Sequence, residues 1–107
     1  MKLFRWDHVT EEPLSPLFKR QAIHGEKMTV ARMHLLKDAR GDLHQHPHEQ
    51  LSFILSGRLR FFVGGEEKVL QTGDILLIPP DTQHGVLALE ETVILDIFSP
   101  GREDWPR

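Results

Sequence analysis

From residue 18 onward, short runs of apolar and β-branched residues alternate with turn-forming ones. The turn signals are His24-Gly25, Asp38 to Asp42, Ser56-Gly57, Gly64-Gly65, Thr72-Gly73-Asp74, Pro79-Pro80-Asp81 and Ser99-Pro100-Gly101. Between them the pattern predicts strands at 18–23, 28–36, 50–55, 58–63, 67–70, 74–78, 84–89 and 92–98. The clearest hairpin joins 58–63 to 67–70 through Gly64-Gly65. The run MTVARMHLL at 28–36 also fits a helical spacing, through Met28, Ala31, Leu35 and Leu36. A strand is the better reading, because its neighbours are strands and it lacks a good cap. Glu11 to Pro16 (EEPLSP) reads as a loop between a short N-terminal arm and the main domain. About eight short strands in so small a domain imply an all-β fold, a jelly roll closed on itself.

The chain has 107 residues, which suits one domain spanning 1–107, with residues 1–16 as its arm. A net charge of −3 and scattered basic residues point to neither a nucleic-acid nor a membrane partner. There is no cysteine, so disulfides, thiolate metal sites and a cysteine nucleophile are excluded. MKLFRWDHVT lacks the apolar run of a signal peptide, and no segment is long enough to span a bilayer as a helix. A cytoplasmic protein is the default expectation.

The stretch GDLHQHPHEQLSF, residues 41–53, holds three of the seven histidines. Residues two apart on a strand share a face, so His44 and His46 can converge on one ion. Gln50 has the same parity and offers an amide oxygen after the turn at Pro47. His84, just after the turn Pro79 to Thr82, is the candidate fourth ligand. A solvated loop explains HxH as readily on spacing alone. His8, His24 and His34 read as ordinary surface or core histidines. His48 follows Pro47 in the turn and is expected outside the ligand set.

Two stretches together resemble the two cupin motifs. GDLHQHPHEQLSFILSG is similar to the first, with HxH, a third ligand four residues on and a closing glycine. GDILLIPPDTQH is similar to the second. The resemblance covers roughly residues 28–98 and implies a cupin jelly-roll barrel, the double-stranded β-helix. It also implies a metal site of His44, His46, Gln50 and His84. Three departures stand out. Gln50 replaces the usual glutamate, Asp81 the usual glycine, and Ala88 a frequent asparagine. Three imidazoles and an amide leave a divalent ion its full charge, suited to attracting an anion and acting as a Lewis acid. Zinc, nickel, iron, manganese and copper all suit such donors.

On the strand 92–98, Ile94, Asp96 and Phe98 share one face. An aspartate there is costly to bury unless it is paired or functional; a bond to Arg102 or to a turn backbone is the structural alternative. The tail DIFSPGREDW, together with HPHEQ, resembles the small KdgF-type cupins of pectin and alginate breakdown. That resemblance implies a metal-dependent opening of 4,5-unsaturated uronate rings to the linear keto-acid. It carries the catalytic and substrate-positioning roles to Asp96 (acid/base), Phe98 (packing the sugar and excluding water) and Arg102 (anion anchor). Arg102 as a plain ion-pair partner of Asp96 remains open, and Gly101 replaces a common proline beside it. Another metal-dependent cupin chemistry, such as a dioxygenase or isomerase, and a non-catalytic binding module are the alternatives. With Gln50 inward, Leu51, Phe53 and Leu55 face out as an apolar patch, which points to a homodimer. The arm KLFRW could cross to the partner or fold back on its own barrel.

Overall fold

The computed structural model describes all 107 residues. It has one short 3-10 turn, Trp6–His8, and ten strands. They are β1 (Glu12–Ser15), β2 (Phe18–His24), β3 (Thr29–Leu35), β4 (Arg40–His44), β5 (Glu49–Ser56), β6 (Arg58–Val63), β7 (Glu66–Gln71), β8 (Ile75–Ile78), β9 (His84–Ala88) and β10 (Thr92–Ser99). Six strands form one sheet in the order β1-β2-β3-β10-β5-β8, and four form the other in the order β4-β9-β6-β7. Every pairing is antiparallel. No helix is long and apolar enough to cross a membrane.

The ambiguous run at 28–36 is strand β3, its burial alternating with period two. The hairpin β6–β7 turns on Gly64 and Gly65, both at positive φ, as a two-residue turn between twisted strands requires. Two strands were not foreseen. Glu12–Ser15, expected as loop, pairs with β2, and Arg40–His44 begins where a turn was expected to continue. Both lie at sheet edges and are largely exposed, so neither carries an apolar alternation. Pro13 is tolerated in β1 because an edge strand is paired on one side only. The arm stays with its own barrel at its inner end: the Gln21 amide donates to the carbonyls of Trp6 at 2.7 Å and Val9 at 2.9 Å.

Side chains from both sheets meet in one core around Ala31, Leu35, Ile54, Leu59, Ala88 and Ile94. Its position sets the site. Along β10 the inward residues run Thr92, Ile94, Asp96, Phe98, from apolar core toward polar chemistry. Along β9 they run the other way, from His84 to Ala88. One end of the barrel is therefore packed shut, and the other carries the histidines.

The packed end depends on the turn at Gly57, where φ is +94°. A Cβ there would lie 2.3 Å from the Glu91 carbonyl oxygen and 2.7 Å from the Thr92 Cα. Gly57→Ala therefore meets backbone on one side and a left-handed conformation on the other. We expect it to cost at least about 2 kcal/mol, read as a lower urea midpoint with an unchanged slope. An unchanged midpoint would show that the turn can relax away from β10.

Candidate metal centre and cavity

His44 is the last residue of β4 and His84 the first of β9, and these two residues pair across the four-stranded sheet. His46 lies in the connection between β4 and β5, and Gln50 is on β5 in the other sheet. The common parity expected to run from His44 and His46, past the turn at Pro47, to Gln50 is thus not what aligns them. The chain crosses between sheets at residues 45–48 and brings the side chains together from both. The Asp81 N–H donates to the His46 carbonyl at 2.8 Å and ties the second motif's turn to the first. Asp81 itself sits at φ +56°, the left-handed geometry that a glycine takes freely and an aspartate tolerates.

The ligand atoms of His44, His46 and His84 all lie within 4.8 Å of one another. Each ring is oriented by its own backbone. The Nδ1 atoms of His44, His46 and His84 meet the carbonyl oxygens of Asp42 (2.8 Å), His48 (3.1 Å) and Thr82 (2.8 Å). A carbonyl only accepts, so each Nδ1 carries the proton and each Nε2 presents a lone pair. His46 Nε2 then stands 3.1 Å from Gln50 Oε1, two acceptors face to face. His84 Nε2 is buried with no partner at all. A cation between these atoms resolves both features, so the donor set fits a divalent transition metal.

Burial favours the neutral imidazoles. It lowers His84 to about 4, with the neighbouring histidines and Arg102 adding to the effect. His46 is lowered as well, by burial first and by Arg102 second. Competition from protons for a metal ion is therefore reduced at these two rings. His48 is not in the triad. Its ring packs edge-on against His46, with centroids 5.2 Å apart, and its Nδ1 is buried without a partner.

A cavity of about 290 Å³ opens beside His44 and His84, and Gln50, Asp96, Phe98 and Arg102 line it. The predicted residues therefore meet in one place. Gln50 Nε2 donates to Ser52 Oγ at 3.0 Å, and Ser52 Oγ donates to Asp96 Oδ1 at 2.5 Å. This relay fixes the amide with its oxygen toward the histidines. Asp96 is buried and raised to about 6: desolvation pushes it up against the pull of Ser52, Gln50 and Arg102. Phe98 is buried, its ring edge-on to His46 at 5.7 Å and to Trp105 at 5.1 Å.

Arg102 does not pair with Asp96. Its Nε and Nη2 take Asp104 at 3.0 and 2.9 Å, and that bond holds the Asp104 carboxyl down at about 2. Its backbone N–H donates to Thr29 Oγ1 at 2.8 Å, which anchors the tail although Gly101 precedes it. Sequence reasoning missed Ser52, Arg20 and Trp105. For the first two a signal existed: Ser52 shares the inward parity of Gln50 and Ile54, and Arg20 that of Phe18. Trp105 follows the last strand, where no periodicity applies.

The cupin-domain family profile matches residues 31–98. The chain belongs to the cupin family. It is 33% identical over 102 residues to the pectin degradation protein KdgF of Dickeya dadantii, covering 92% of this chain and 93% of that protein. Among solved structures, KdgF from Halomonas sp. superposes with a TM-score of 0.90 at 28% identity, over 97% of each chain. An RmlC-like cupin from Shewanella frigidimarina superposes with 0.91 at 30% identity, over 97% of this chain and 95% of that one. The resemblance of this cupin to the KdgF type thus extends through both terminal segments, beyond the two motifs.

Asp96 and His84 respond to pH in opposite senses. Asp96, raised in the fold, contributes stability below about pH 4 that is lost as pH rises through about 6. His84, lowered in the fold, contributes stability above about pH 6.5 that is lost as pH falls through about 4. Each is worth up to about 3 kcal/mol, so they largely cancel between pH 4 and 6.5. In metal-free protein Asp96→Asn removes one side of this balance. Its stability relative to wild type should grow as pH rises across that window, measured by urea unfolding with a chelator present. A difference independent of pH would mean that Asp96 is ionised throughout.

Proposed function

We propose that this cupin is a metal-dependent enzyme that opens 4,5-unsaturated uronate monosaccharides to the linear keto-acid, as part of pectin-type polysaccharide breakdown. The name and near full-length similarity of the Dickeya relative support the pathway. The observation that carries the reaction is Asp96, a buried carboxyl shifted to about 6, lining the same cavity as the histidine cluster.

In the proposed site His44, His46, Gln50 and His84 hold the metal. When bound, the ion supplies a Lewis acid for substrate oxygens, its charge undiminished by a carboxylate ligand. Ring opening moves one proton: the anomeric hydroxyl loses it, the bond from C1 to the ring oxygen breaks, and C4 of the enol gains one. A group near pKa 6 is populated in both forms near neutrality, so Asp96 suits both transfers. Ser52 and Gln50 keep its carboxyl in place. Phe98 gives the sugar an apolar wall and keeps water from Asp96.

The test follows the ultraviolet absorbance of the enol ether in freshly lyase-generated unsaturated galacturonate. Wild type with metal should accelerate its loss. Chelation, or Asp96→Asn with metal still bound, should remove about 10²–10⁴-fold of that rate. Decay at the spontaneous rate in wild type, with metal confirmed bound, sinks the proposal.

The reading extends to a homodimer. On the outer face of the six-stranded sheet, Val30, Ile97, Leu51 and Leu77 align in one row, and Leu95, Phe53 and Ile75 in the next. Ile75 and Leu77 are more than half exposed. A patch this wide fits a second copy of the chain. Leu77→Glu should halve the mass seen by light scattering while the circular dichroism stays unchanged. An unchanged mass refutes this surface as the interface.

A further inference from the structure

Two arginines face the cavity, and a carboxylate occupies more of the guanidinium in one than in the other. Arg102 commits both Nε and Nη2 to Asp104. Those two atoms form one of the two edges on which a guanidinium grips a carboxylate. Arg20 is different. It lies on β2, opposite Met33, and lines the cavity together with Asp96 and Trp105. It is only 9% exposed. Its Nη2 donates to Glu12 Oε1 at 2.7 Å, but its Nε is buried with no partner. The Glu12 side chain is 38% exposed and that of Asp104 56%, so solvent screens both ion pairs, and the two arginines differ in the number of N–H groups committed, one against two.

An inward cation with an orphaned donor is costly unless something else completes it. Its setting explains how the cost is met in the absence of ligand. The guanidinium lies 3.8 Å from the Trp105 ring centroid, and that ring is also 4.4 Å from the Arg102 guanidinium. The indole is edge-on to Phe98 at 5.1 Å. Arg20 is thus held flat by a π-face, with its remaining N–H groups unspent and its position fixed before a ligand arrives.

We propose that Arg20, rather than the fork of Arg102, anchors the carboxylate of the substrate, and that Trp105 holds it for that purpose. The identity of the acid as a uronate rests on the function proposed above; the anion anchor itself does not. Arg102 then acts as a positioning residue, fastening Trp105 and Phe98 through its own ion pair with Asp104.

The experiment measures galacturonate binding to zinc-loaded protein by titration calorimetry. Galacturonate lacks the unsaturated bond and is not turned over, so it reports binding alone. Arg20→Gln should weaken it at least about tenfold. Glu12→Gln, which releases the guanidinium without removing it, should leave affinity equal or tighter. Equal affinity for wild type and Arg20→Gln overturns the proposal. So does equal weakening in both variants, because Arg20 would then only hold β1 in place. Absence of galacturonate binding in wild type overturns it as well. If Arg20→Gln does not fold, Glu12→Gln decides alone: weaker binding refutes the anchor and undiminished binding supports it. Turnover of the unsaturated uronate is scored separately. Arg20-dependent galacturonate binding without turnover keeps the anchor and discards the ring-opening reading.

Discussion

Three backbone carbonyls determine the chemistry of this barrel. By accepting from Nδ1 of His44, His46 and His84, they strip the facing Nε2 atoms of protons and aim their lone pairs at one another. Nothing in the protein quenches that concentration of acceptors. Gln50 adds to it, because its amide nitrogen is committed to Ser52 and its oxygen is turned toward His46. The fold holds a set of like partial charges together and leaves a cation as the group that relieves them. Burial reinforces the arrangement by making protonation of His84 and His46 unfavourable, so protons are poor substitutes for a metal.

The same constraint reaches Asp96. The relay from Gln50 through Ser52 ends on its carboxyl, so the orientation of the amide and the state of the acid are linked by two hydrogen bonds. A neutral ligand set matters here. A glutamate at position 50 would place a second carboxylate beside Asp96 and raise it further, while an amide contributes a donor that lowers it. The departure from the usual cupin ligand therefore bears on the acid as well as on the charge of the donor set. The site is electrostatically coherent: uncharged donors on one side, a partly protonated acid in the middle and guanidinium groups beyond it.

How much of this was legible in the sequence varied by element. Alternation on β3 and β10 gave those strands and the inward face of Asp96 and Phe98, because both are central strands buried on one side. The edge strands β1 and β4 were hidden, since exposure on most positions removes the alternation that would reveal them. Spacing suggested that His44, His46, Gln50 and His84 belong together, and the structure does bring them together. Parity carried across the turn at Pro47 was the wrong reason, because the chain changes sheets between His44 and Gln50. The partner of Arg102 was also out of reach of pattern reasoning. Asp104 lies two residues away in an irregular tail, where neither strand nor helix periodicity ranks it above the buried Asp96.

The barrel also separates what is general from what selects a ligand. Cupins related to this chain only by fold, such as the oxalate decarboxylase of Bacillus subtilis at 19% identity and a TM-score of 0.83, share the barrel. A shared scaffold does not set a substrate. Part of the cavity wall, and the carboxylates that hold its two arginines, come from the two ends of the chain. Glu12 and Leu14 arrive on β1, Arg20 on β2, and Arg102, Asp104 and Trp105 on the tail, all outside the span 31–98 matched by the family profile. Trp105 binds these ends to each other by stacking on a cation from each. Rewriting the two ends would therefore reshape that part of the cavity wall with the histidine cluster and Asp96 left as they are.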